Sequence, residues 1–125
     1  MSDRISFITH RGKPILLIDF SECEPKEILS MLDQIQRTVA KHDRNSLLTL
    51  ADLTGAHIDR GVATRMKEVL VKDRPYVKKS AWVGVDSLPK VYYENMKTFT
   101  QRNFPPFQTR EAAMDWLTQD DSGTP

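Results

Sequence analysis

Pro14-Ile15-Leu16-Leu17-Ile18-Asp19-Phe20 reads as a β-strand covered on both faces, because its apolar run is almost unbroken where a half-solvated strand would alternate. Upstream, Ile5-Ser6-Phe7-Ile8-Thr9 does alternate, the period of a half-buried strand. His10-Arg11-Gly12-Lys13 is a tight connection with Gly at the strained position, so the two strands are expected to pair as a hairpin. Downstream, Pro25 suits the first turn of a helix running to about Lys41, with Ile28, Leu32, Ile35 and Val39 as its apolar stripe.

The pattern then repeats. Ser46 to Leu53 reads as a third strand. Asp59 is placed to cap a helix that turns Val62, Met66, Val69 and Leu70 inward and ends at Arg74-Pro75. Ser80 to Val85 reads as a fourth strand, and Ser87 as the cap of a third helix with Leu88, Val91, Tyr92 and Phe99 facing in. Phe104 to Gln108 can add at most a short edge strand, since its two prolines donate nothing to a ladder. Thr109 should cap a last helix that packs with Ala112, Ala113, Trp116 and Leu117. The expected fold is therefore one α/β domain over residues 1–118: a mixed sheet of four to five strands, an N-terminal hairpin, a parallel centre and about four helices. A polar tail over 119–125 is expected to be disordered.

Bulk properties bound the function. A chain of 125 residues, 39% hydrophobic and 28% charged, holds one ordinary globular core. Its longest apolar run, Ile15 to Ile18, is far too short to span a membrane, and no apolar leader follows Met1. Cys23 is the only cysteine, so neither an internal disulfide nor a cysteine metal cage can form. A cytoplasmic location is the expectation. Net charge is +1, yet seven Lys or Arg between Arg60 and Lys79 stand against Glu68 and Asp73 alone. Acid gathers instead in Asp19 to Asp33 and Glu111 to Asp121. Such asymmetry suggests a partner surface more than a nucleic-acid groove, where a larger overall basic excess is usual.

The element order and the segment Leu47-Leu48-Thr49-Leu50-Ala51-Asp52-Leu53-Thr54-Gly55-Ala56-His57-Ile58-Asp59-Arg60-Gly61 resemble a STAS domain, the family of anti-sigma-factor antagonists and sulfate-transporter tails. Asp52-Leu53-Thr54-Gly55 matches the end of the family's third strand, and Ile58-Asp59 with Gly61 matches its Ile-Asp-Ser-Ser-Gly stretch. The closing Thr109 to Leu117 resembles the last helix of the SpoIIAA-like branch. The resemblance implies a non-enzymatic regulatory or protein-interaction module. Arg60, however, stands where the family carries its phospho-acceptor serine, and neither Thr54 nor Thr64 matches an acceptor position. A second reading, also from the resemblance, is a carrier or sensor of an apolar, lipid-like ligand.

Candidate chemistry is sparse. Asp19, Asp52 and Asp86 fall at the expected C-terminal ends of three strands, the edge where open α/β sheets bind ligands and where clustered acids hold Mg²⁺. A phosphoryl-transfer site would also need a lysine near the end of a late strand, and none is evident; Asp at a strand-to-helix turn is ordinarily a turn or cap residue. The loop from Thr54 to Gly61 leads into a helix N-terminus, with Arg60 and Arg65 adding positive charge, an arrangement suited to an anion. His10, His42 and His57 lie apart with no metal-ligand spacing, and no nucleophile elbow or P-loop is present. An enzyme, a metal and a cofactor are accordingly not expected. The expected binding surface is Thr54, Gly55, His57, Asp59, Arg60, Gly61 and Arg65, with Lys67, Lys72 and Lys79 extending the charge. Surplus third-helix residues such as Tyr93 and Met96 would give it an apolar centre. Its occupant would be a protein partner, which a second copy of the chain could supply, or a small ligand.

Overall fold

A computed structural model describes residues 4–119. In chain order the elements are β1 (Ile5–His10), β2 (Lys13–Asp19), α1 (Pro25–Val39), β3 (Leu47–Asp52), α2 (Arg60–Asp73), β4 (Val77–Val83), α3 (Lys90–Thr100), β5 (Pro106–Phe107) and α4 (Arg110–Leu117). The strands form one five-stranded mixed sheet in the order β1-β2-β3-β4-β5. Only β1 runs antiparallel to its neighbour. Arg11 and Gly12 both adopt positive φ, 54° and 76°, which is what a two-residue turn matching the strand twist requires.

The unbroken apolar run of β2 has its explanation in two separate cores. Leu16, Ile18 and Phe20 point to one face, under α1, α2 and α3, with Ile28, Leu32, Ile35, Val62 and Met66. Ile15 and Leu17 point to the other, where α4 covers Leu50, Ala81 and Val83 with Ala113 and Leu117. No helix among the described residues is long and apolar enough to cross a membrane.

Five boundaries or faces differ from the sequence reading. Strand β4 begins at Val77, earlier than Ser80, because Lys79 hides its apolar stem: its ammonium lies 4.3 Å from the Trp116 ring centre. The strand ends at Val83, since Gly84 turns with φ 76° and a Cβ there would meet the Thr54 amide nitrogen at 2.5 Å. Helix α3 starts at Lys90, and Ser87 does not cap it, because Pro89 keeps Leu88 out of the helical region. Its buried face is Tyr93, Met96 and Thr100, whereas Val91 and Phe99 are 59% and 63% exposed. In α4, Ala112 is exposed and Ala113 is buried. Of the tail, only Gln119 lies within the described residues.

Candidate functional site

At the C-terminal edge of the sheet the parallel register sets Asp19 beside Asp52. Each carboxylate closes the turn that follows it. Asp19 accepts from the Ser21 amide and hydroxyl at 3.0 and 2.5 Å, and Asp52 accepts from the Thr54 amide and hydroxyl at 3.0 and 2.7 Å. Arg110, at the start of α4, joins the two: its Nε donates to Asp52 Oδ2 at 2.7 Å, and its Nη2 lies 3.2 Å from Asp19 Oδ1. Burial works to raise the Asp52 carboxyl, but Thr54 and Arg110 overcome it and hold the group below its ordinary range. Asp86 is exposed, on a 3₁₀ turn, and among the described residues no hydrogen bond or ion pair joins its side chain to the pair. Among the described residues no group of three His, Cys, Asp or Glu side chains is arranged to hold a metal ion.

Arg110 escaped the sequence reading, though a signal existed. A cation in the first turn of a helix sits at the unfavourable end of the dipole, so it needed a carboxylate to hold it there. Replacing it should show this directly. In Arg110→Met the Asp52 carboxyl is expected to titrate at higher pH, measured by carboxyl-carbon NMR; an unmoved midpoint would mean that Thr54 alone sets it.

The expected loop is largely self-satisfied. Asp59 caps α2 by accepting from the Val62 amide at 2.8 Å. The Gly55 amide donates to the Ser87 hydroxyl at 2.7 Å, and the His57 amide to the Cys23 carbonyl at 2.9 Å. Thr54 is exposed, as are His57, Asp59, Arg60 and Gly61. Cys23 itself is enclosed, and burial pushes its thiol up to about 11, so little thiolate exists at neutral pH.

The basic residues do not share one face. Arg65 turns to α1, where its guanidinium meets Asp33 at 2.9 Å and the Gln36 side chain at 3.2 Å. Lys79 lies under α4, donating to the Trp116 carbonyl at 2.8 Å. Arg60, Thr64, Lys67 and Val71, at helical spacing 4-3-4, run instead along the edge of α2 that meets α3.

Comparisons with protein-family models, with characterised proteins and with solved structures return no match.

Along that α2 edge lies a groove of about 240 Å³, with Arg60, Thr64 and Lys67 on one wall and Tyr92, Asn95 and Met96 on the other. The Lys67 ammonium stands 5.3 Å from the centre of the Phe99 ring. Val91, Asn95 and Phe99 recur every fourth residue on the outer side of α3, so two large exposed apolar groups flank the groove. Tyr93 and Met96, expected at its apolar centre, are mostly spent elsewhere: Tyr93 is buried, its hydroxyl donating to the Phe104 carbonyl at 3.0 Å. Met96 is fully buried at the floor of the groove.

Proposed function

We propose that this chain is a STAS-like, non-enzymatic binding module that docks a protein partner in the groove between α2 and α3. The observation that carries the reading is the outward display of Phe99 and Val91 on α3, with the Lys67 ammonium over the Phe99 ring. An isolated exposed apolar residue is ordinary; two on one helix face, bordered by cations, form an anchor with a charged rim. The matching partner segment is acidic and carries an apolar side chain to lay against Phe99. Rim charges of this kind set association rate and salt dependence more than affinity. Two further features support a non-catalytic role: Arg110 and local turns hold Asp19 and Asp52, and the Cys23 thiol is enclosed. With Arg60 at the place of the family's acceptor serine, occupancy of the groove is not switched by phosphorylation at that position.

A photo-crosslinking residue placed at Asn95 tests this in the cell that makes the protein. One discrete adduct is expected, absent when the crosslinker is at Phe7 on β1 and lost with Lys67→Glu. Twice the chain mass would make the partner a second copy. Equal labelling from Asn95 and Phe7 would sink the proposal. A second reading, a carrier or sensor of a small apolar ligand, is favoured by a different observation: a cavity beneath α1 and α2.

A further inference from the structure

That cavity, of about 50 Å³, lies between the sheet and the two helices. Its walls are apolar, from Phe20, Ile35, Met66, Val69 and Trp82 among others, but one end is not. There Asp73, Arg102, Thr49 and Ser80 converge. Asp73 is the last residue of α2 and only 6% exposed. Among the described residues no hydrogen bond or ion pair reaches its carboxylate; Arg102 acts on it only through space. Helix stability does not explain it, because an anion at a helix C-terminus faces the negative end of the dipole. Nor is Arg102 saturated. Its guanidinium donates to the Leu70 carbonyl at 3.0 Å and to the Ser80 hydroxyl at 2.6 Å, which leaves N–H groups over from its five. Ser80 in turn shares a 2.7 Å hydrogen bond with Thr49.

We infer that this cavity is a binding site for a small neutral molecule with an apolar body and one hydroxyl head, the hydroxyl bridging Asp73 and Arg102. The chemistry of the two ends selects the head. Once ionised, above about pH 7, Asp73 can only accept and Arg102 can only donate, so the group between them must do both. An ammonium would satisfy Asp73 and repel Arg102; a carboxylate would do the reverse. A hydroxyl completes both with a single atom. The volume selects the body: apolar cavities of roughly 150 Å³ take benzene, so this one, a third of that size, takes about two non-hydrogen atoms with its walls as they stand. Met66, unbranched and flexible, is the wall that yields to a larger one. The way in passes Arg102, which with Ser80 and Val77 also lines an outer groove beside Arg74, Gln101 and Asn103. The inference rests on the carrier reading and is independent of the groove between α2 and α3.

Xenon and 2-propanol separate the two parts of the idea, using the full chain and methyl NMR of Met66, Val69 and Ile35. Saturable shifts of these methyls with 2-propanol are expected at about pH 8, where Asp73 is ionised, and Asp73→Asn should weaken the alcohol about tenfold or more, the loss of a charge-assisted hydrogen bond, while xenon binds both proteins alike. Xenon entering without a saturable alcohol response, in the wild-type chain alone, would overturn the hydroxyl head and leave an apolar cavity. Equal alcohol affinity in Asp73→Asn would overturn it too. If neither probe perturbs these methyls, the carrier reading falls with the inference.

Discussion

Phe104→Ala is expected to remove about 3–5 kcal/mol of folding stability, a large share of the roughly 5–15 kcal/mol that holds a domain of this size. Phe104 is 0% exposed, stacked on Trp82 with ring centres 4.2 Å apart and planes 12° from parallel. Tyr93 crosses it at 6.0 Å while bonded to its carbonyl. These neighbours are rigid and pinned, so they cannot close into the space that a phenyl ring leaves, and an unfilled cavity adds its own cost to the lost burial. Phe99→Ala is the internal control: the same residue type on an exposed site, expected to change stability by no more than about 0.5 kcal/mol. Urea unfolding reads both as a shift of midpoint at constant slope. A Phe104→Ala loss near that of Phe99→Ala would contradict the packing around Trp82.

The second large effect is a pH dependence. Burial pushes the Asp73 carboxyl up from 3.8 to about 7, with Arg102 opposing. A carboxyl raised in the folded state binds its proton more tightly there than in the unfolded chain, so folding is favoured at low pH. That advantage is lost as pH rises from about 4 through about 7. A shift of this size bounds the change at about 4 kcal/mol. Asp52, held low, has the opposite sign: its contribution is present above the ordinary carboxyl range and disappears as acid protonates it. On these two groups stability should therefore crest at about pH 4, between the acid loss from Asp52 and the loss from Asp73 above it. The clean measurement is the difference between wild type and Asp73→Asn in unfolding free energy at pH 5 and at pH 8. The wild type should lose ground as pH rises, whatever the variant costs in absolute terms by leaving Arg102 alone. Parallel curves would show that Asp73 ionises freely.

The strands and the first two helices were legible because periodicity reports burial, and burial is what those segments do. Asp59 and Thr109 were legible as caps because a short oxygen before an apolar-periodic run has one common use; the Ala112 amide donates to Thr109 at 3.1 Å as that use requires. Helix α3 was mis-phased for two physical reasons. Pro89 delays its start, and Thr100 is buried in place of Phe99 because its hydroxyl returns to the Met96 carbonyl at 2.6 Å, so a polar residue sits inside and an aromatic one outside. The charged residues were least legible. Arg65, Lys79, Arg102 and Arg110 each find partners far away in sequence, and a local charge count cannot see that the run from Arg60 to Lys79 divides among several faces. Asp73, counted as one of two acids diluting that run, proved to be a wall of the cavity.

The eight residues of α4 carry a burden out of proportion to their length, for they close the second core, over Ile15, Leu50, Ala81 and Val83. A chain emerging from the ribosome has made β1 to β4 and the other three helices before α4 exists. Until then Ile15, Leu50, Ala81 and Val83 form a bare apolar surface on an otherwise assembled sheet. Such intermediates are the species that aggregate or engage chaperones. A stop codon or protease cut just before Thr109 would therefore yield a sticky, incompletely closed product.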